Sequence, residues 1–273
     1  MEMEQNQSTH HGEAEIDQVE ALLTELRLKH WGFTLKNDLV EMPPAEKTLI
    51  LKHISRWAST EKAERKAALI SSRIRTAKFK RLQTIDTFDF SHSKATQTIQ
   101  KNYLSLYNTI TPKNLPSAVF TGNAGLGKTH LARALGFAAC QQGISVLFLT
   151  AAEMVNQLSH AQRVFNLESE LNRYRRPQVL IIDELGYVSL DAQASNLFFQ
   201  VISARHDLEL GTIATTNIPF GKFNQIFAND AIAHAIVDRL VNDAEIFFME
   251  GTSYREYQRD QKQKKTGQIS PSN

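Results

Sequence analysis

The chain has 273 residues, 42% of them hydrophobic, with a formal net charge of +2 and a single cysteine, Cys140. That is enough for a large domain, or a domain with an appendage, around a real core. No apolar run approaches the ~18 residues of a membrane span, one cysteine excludes an intrachain disulfide, and Met1-Glu2-Met3-Glu4 lacks the basic and apolar regions of a signal peptide. A cytoplasmic protein without membrane association is therefore expected.

The charge is unevenly placed. Residues 1–20 carry six acids and no Lys or Arg, and residues 47–81 carry eleven Lys or Arg against two acids. Residues 1–16 are expected to form an acidic flexible tail. From 17 to 83 the pattern is that of a small all-helical N-terminal domain that binds DNA or a partner. Val19, Leu22, Leu23 and Leu26 recur at helix spacing, and Met42-Pro43-Pro44 interrupts. A segment without Gly or Pro, rich in Ala, Leu, Lys, Arg and Glu, then runs from Ala45 through Leu82 and predicts one long helix. On such a helix Lys62, Lys66, Arg73 and Lys80 share a face. Together with Arg75, Lys78 and Arg81 they are the candidates for contact with a DNA backbone, because this density of charge is heavy for solubility alone.

Residues 84–117 read as a linker, with Phe88-Asp89-Phe90, a helix through Leu104 and a turn at Thr111-Pro112. From Ala118 strands and helices alternate, which predicts an α/β domain over 118–256 with a parallel five-stranded sheet. The candidate strands are Ala118–Thr121, Ser145–Thr150, Val179–Asp183, Thr212–Asn217 and Ile246–Met249. Residues 257–273, rich in Gln, Lys and Ser, are expected to be a disordered tail.

Between the first strand and a helix over Thr129–Gln141 lies Gly122-Asn123-Ala124-Gly125-Leu126-Gly127-Lys128-Thr129, which fits G-x-x-x-x-G-K-[ST]. Its glycines permit a tight turn whose N–H groups face phosphate oxygens. Lys128 can reach the β- and γ-phosphates, and the Thr129 hydroxyl can ligate Mg²⁺. The helix N-terminus adds a positive dipole end. Val179–Asp183 ends in the Asp183-Glu184 pair, in which Asp183 would hold Mg²⁺ and Glu184 would orient and deprotonate a water. A glutamate beside the metal ligand favours hydrolysis of ATP over transfer to an acceptor. Asn217, ending the fourth strand, either helps to position that water or simply turns the chain before Ile218-Pro219. Arg239, on a helix over Asp230–Val241, is either an arginine finger reaching a neighbouring subunit's nucleotide or a surface ion-pair partner.

The order of these elements resembles the AAA+ ATPases of the initiator and helicase-loader group. Leu22–Leu28, Phe88-Asp89-Phe90, Leu147–Glu153, Leu180–Tyr187 and Gly251-Thr252-Ser253-Tyr254-Arg255 are similar to the IstB-type transposition helper ATPases, over about residues 18–256. The resemblance implies a P-loop AAA+ core, binding of duplex DNA, an ATP-dependent homo-oligomer, and assistance to a DDE-family transposase in choosing or activating target DNA. It also implies a sensor-1 role for Asn217, a trans-acting role for Arg239 and a sensor-2-like role in nucleotide binding for Arg255. Too few residues follow Tyr257 for a helical lid, so a complete C-terminal lid is expected to be absent. A replicative helicase loader, sharing the same core, is the alternative function; the Gly251–Arg255 stretch and the absence of Cys-rich metal-ligand spacing near the N-terminus favour transposition. A nucleotide-gated scaffold without useful turnover is a third, against which Glu184 argues.

Overall fold

The structure, a computed structural model, describes residues 2–251, 253 and 254. Arg255 and the tail beyond Tyr257, with the expectations attached to them, lie outside the described residues. Two units meet between Leu69 and Ile70, upstream of the boundary expected near residue 83.

The first unit is helical. Its helices are α1 (Glu2–Glu25), α2 (Lys29–Val40) and the larger part of α3 (Pro44–Thr76). Helix α1 runs back through the acidic stretch read as a flexible tail, a stretch with no proline and one glycine. Val19 and Leu23 on one face of α1, with Leu26 just beyond its end, bury with Leu39 of α2 and Leu51 and Ala58 of α3. Pro44 opens α3, where its missing N–H costs nothing. The guanidinium of Arg65 donates to the Leu26 carbonyl at the end of α1.

Helix α3 ends at Thr76, not near Leu82. Propensity favours continuation, but tertiary contacts win. Ala77 is fully buried, Lys78 takes a left-handed conformation with φ 63°, and the Ala77 carbonyl accepts from Phe148 N at 2.8 Å. Lys80 and Arg81 therefore lie on an irregular strap, and the single basic face that would include Lys80 does not exist.

The second unit contains five parallel strands: β1 (Ala118–Gly122), β2 (Val146–Thr150), β3 (Val179–Asp183), β4 (Gly211–Thr216) and β5 (Glu245–Met249). Their order across the sheet is β2-β3-β4-β1-β5. Helices α4 (Lys94–Asn108) and α5 (Lys128–Gln141) cover one face. The other face carries α6 (Ala151–Arg163), α7 (Leu167–Arg175), α8 (Ala192–Asp207) and α9 (Asp230–Val241). Strand residues alternate between the two cores: Val179 and Ile181 pack under α4 and α5, Leu180 and Ile182 under α6 to α9. Both faces being covered explains why β3 is apolar without interruption until Asp183. Helix α4 belongs to this core although its segment reads as a linker. Tyr103 is fully buried and its hydroxyl donates to the Leu131 carbonyl at 3.0 Å. Burial pushes the Cys140 thiol up to about 12, as befits an inert packing residue. No helix among the described residues is long and apolar enough to cross a membrane.

Candidate nucleotide-binding site

Since β3, β4 and β1 are neighbours and parallel, the loops leaving their C-terminal ends converge. They line a cavity of about 710 Å³ that brings together Lys128, Thr129, Asp183, Glu184 and Asn217.

The loop from Gly122 to Thr129 is folded as the motif predicts. Ala124, Gly125 and Gly127 line the cavity, Leu126 turns into the core, and Asn123 donates to the Gly251 carbonyl at 3.3 Å. Gly127 caps α5 in a left-handed conformation (φ 90°), and a Cβ there would lie 2.5 Å from the Phe88 ring. Only glycine meets both conditions. The Phe88 ring in turn packs against Phe90, His92 and His130, and Tyr254 N donates to the Gly125 carbonyl at 3.0 Å. The two motifs that flank the core in sequence thus brace the phosphate loop in space.

The Lys128 ammonium donates to the carbonyls of Gly122 (2.7 Å) and Asn123 (2.6 Å). Burial pushes it down to about 8, against the opposing pull of Asp183. The protonated amine is the form that attracts phosphate. ATP affinity is therefore expected to fall as pH rises through about 8, with proton uptake on binding above that value. Calorimetry in buffers of different ionisation enthalpy reads both; an affinity flat through this range would refute the assignment.

Asp183 is almost wholly buried at the end of β3. Its Oδ1 accepts from Thr129 Oγ1 at 2.8 Å and Thr215 Oγ1 at 2.6 Å. Glu184 follows in a left-handed conformation (φ 62°), a strain typical of functional corners, and its N–H donates to Thr215 Oγ1 at 3.0 Å. The Glu184 side chain is exposed to the cavity. Asn217 Oδ1 is buried without a partner, and a Cβ on Gly186 would lie 2.0 Å from it, so only a glycine at that position admits the amide. Asn217 lines the same cavity as Asp183 and Glu184.

Arg239 stands elsewhere. It lines a second cavity, of about 590 Å³, with Lys113, Gln178, His206 and Asp243, at the edge where the strands begin. Its Nη1 donates to the Ala235 carbonyl at 3.2 Å, its guanidinium lies 4.9 Å from the centroid of the Phe199 ring, and its Nε is buried without an acceptor. Among the described residues it makes no ion pair of the kind the sequence allowed.

The candidate DNA contacts are scattered. Lys62 pairs with Glu25, Arg73 donates to the Gly143 carbonyl at 3.0 Å, and Lys80 pairs with Glu153 at 2.8 Å. Lys66, Arg75 and Lys78 are exposed, whereas Lys80 and Arg81 line the nucleotide cavity. Sequence reasoning missed Thr215, which ties Asp183 to Glu184. Its only signal is a threonine two residues before Asn217, indistinguishable from an ordinary strand residue.

The sequence profile of the IstB-like ATP binding protein family matches residues 21–262. The ATP-binding protein of insertion sequence IS5376 from Geobacillus stearothermophilus is 36% identical over 73% of this chain and 78% of its own length. That of IS232 from Bacillus thuringiensis subsp. berliner is 32% identical over 84% and 90%. Among solved structures, the DnaC helicase loader superposes with a TM-score of 0.54 at 21% identity, covering 61% of this chain and 96% of that one, a likeness of fold.

Proposed function

The chain belongs to the IstB-like ATP binding proteins, an AAA+ family, and from that premise we propose that it is a Mg²⁺-dependent ATPase that assembles on duplex DNA and delivers or activates target DNA for a partner transposase. The observation that carries the hydrolytic part is the convergence of Lys128, Thr129, Asp183 and Glu184 on one cavity. The names of the relatives, which tie them to insertion sequences, favour this reading over a helicase loader.

The residues fit a magnesium ion. A hydroxyl and a carboxylate, both hard oxygen donors, meet at 2.8 Å in Thr129 and Asp183. Among the described residues no group of three or more His, Cys, Asp or Glu forms a closed cage, as suits an ion that keeps waters and shares phosphate oxygens. When bound, Mg²⁺ neutralises charge developing on the β- and γ-phosphates. The protein's own groups do the rest. Lys128 exchanges its loop carbonyls for phosphate oxygens. Glu184 takes the proton of the attacking water, while the Asn217 amide holds that water in line. Thr215 keeps both acids in register.

For DNA, the exposed Lys66, Arg75 and Lys78 are the cations to test, since Lys80 and Arg81 belong with the nucleotide cavity. Converting the three to Glu is expected to weaken binding to duplex DNA without altering ATP affinity. Each lost phosphate contact should reduce the slope of log affinity against log salt by about 0.9. Fluorescence anisotropy across a salt series measures this, and an unchanged slope would move the DNA path to another surface.

A further inference from the structure

One largely enclosed charge in the nucleotide cavity, Arg133, has no part in the chemistry above. Arg133 lies one turn beyond Thr129 on α5, its side chain only 13% exposed. Its guanidinium sits 4.5 Å from the centroid of the Phe148 ring. Nη1 donates to Gln83 Oε1 at 3.0 Å. Nη2 lies 4.0 Å from Asp183 Oδ2, the oxygen that neither Thr129 nor Thr215 engages. Nε is buried with no acceptor. Burial opposes the charged form, as does nearby Arg81, while Asp183 and Glu184 favour it.

A guanidinium held this deep with an unused donor is costly unless its charge answers another. The two acids at the end of β3 provide that answer. Both threonine hydroxyls meet the same oxygen of Asp183, so they leave the carboxylate free to tilt about that point. A cation facing the second oxygen removes this freedom. We propose that Arg133, aligned by Gln83, is a positioning residue of the nucleotide site: it is the resident counter-cation of the Asp183-Glu184 pair and shares that duty with the divalent metal when ATP is bound. The inference rests on the ATPase reading. It is separate from Arg239, which lies at the other edge of the sheet.

Two effects of opposite sign follow. A cation this close to Asp183 repels a divalent ion at the same carboxylate, so its loss strengthens the metal's contribution to nucleotide binding. The same loss lets the acids drift and slows turnover, by about 10- to 100-fold if Arg133 acts as partners behind metal ligands do. The variant of choice is Arg133→Met, which keeps the packing on Phe148; Arg133→Lys restores the charge without the planar fork, and Gln83→Ala leaves the arginine but removes its guide. In the full chain, ATP dissociation constants with Mg²⁺ and with chelator give a metal-linked ratio, read beside kcat and KM.

For Arg133→Met we expect the ratio to rise several-fold while kcat falls. Arg133→Lys should return the ratio to the parent value and recover part of kcat, and Gln83→Ala should lower kcat with the ratio unchanged. A Met variant with parental kcat and ratio overturns the proposal. So does a lowered kcat with an unchanged ratio, which marks a merely structural role. If the parent hydrolyses no ATP, the ATPase reading fails, whereas the binding ratio still decides the role of Arg133.

Discussion

Replacing Arg239 by alanine is expected to leave each subunit able to bind ATP yet to cut turnover of the assembled protein by about 10³-fold or more, the scale of losing a trans-acting arginine. The reason is geometric. Arg239 cannot serve its own nucleotide, because it sits where the strands begin and the phosphate loop sits where they end. Among the described residues its buried Nε lacks an acceptor and its guanidinium rests on the Phe199 ring, with no direct ion pair to hold the charge. Mixing Arg239→Ala with Lys128→Ala subunits provides the decisive measurement. Each lacks a different half of the composite site, so mixed interfaces should regain partial activity. No recovery at any ratio, with co-assembly verified, would make Arg239 a structural residue.

The second large effect concerns Glu184. Glu184→Gln should reduce turnover by about 10² to 10⁴-fold, the range for losing a general base, with ATP affinity near that of the parent. The amide keeps the shape and the left-handed corner, and its N–H still meets Thr215, so the substitution isolates proton transfer from geometry. Equilibrium binding and single-turnover hydrolysis separate the two quantities. Near-normal turnover would remove the catalytic assignment, and a comparable loss of affinity would show that Glu184 acts on the ground state.

The ATPase unit was legible because its signals are local. Apolar runs ending in Gly122 or Asp183 state both the strand and the point at which chemistry begins, and the five strands form within a residue or so of where the pattern places them. The phosphate loop is recognisable from its own eight residues alone. The losses came where a distant partner overrules local preference. The chain after Thr76 has every propensity to stay helical, but the Ala77 carbonyl is claimed by Phe148, some seventy positions on. Helix α4 reads as a linker because its polar positions outnumber its apolar ones, and only the fold reveals Tyr103 as a core residue. Thr215 and Arg133 carry no motif at all; their meaning lies in Asp183, which the topology and not the spacing brings beside them. Arg239 had two readings of equal standing, and among the described residues it forms no ion pair, although Asp243 lines the same cavity, which weighs against the second.

The bond between Ala77 and Phe148 has a wider consequence. Strand β2 is an outer strand of the sheet, and its exposed amides would be a template for sheet extension. The strap occupies the central amide of that edge, and the Phe79 ring packs against Phe148 with centroids 6.1 Å apart, so an incoming strand would have to displace the strap. Here a few residues of the chain's own backbone cap that edge of the sheet and guard it against aggregation.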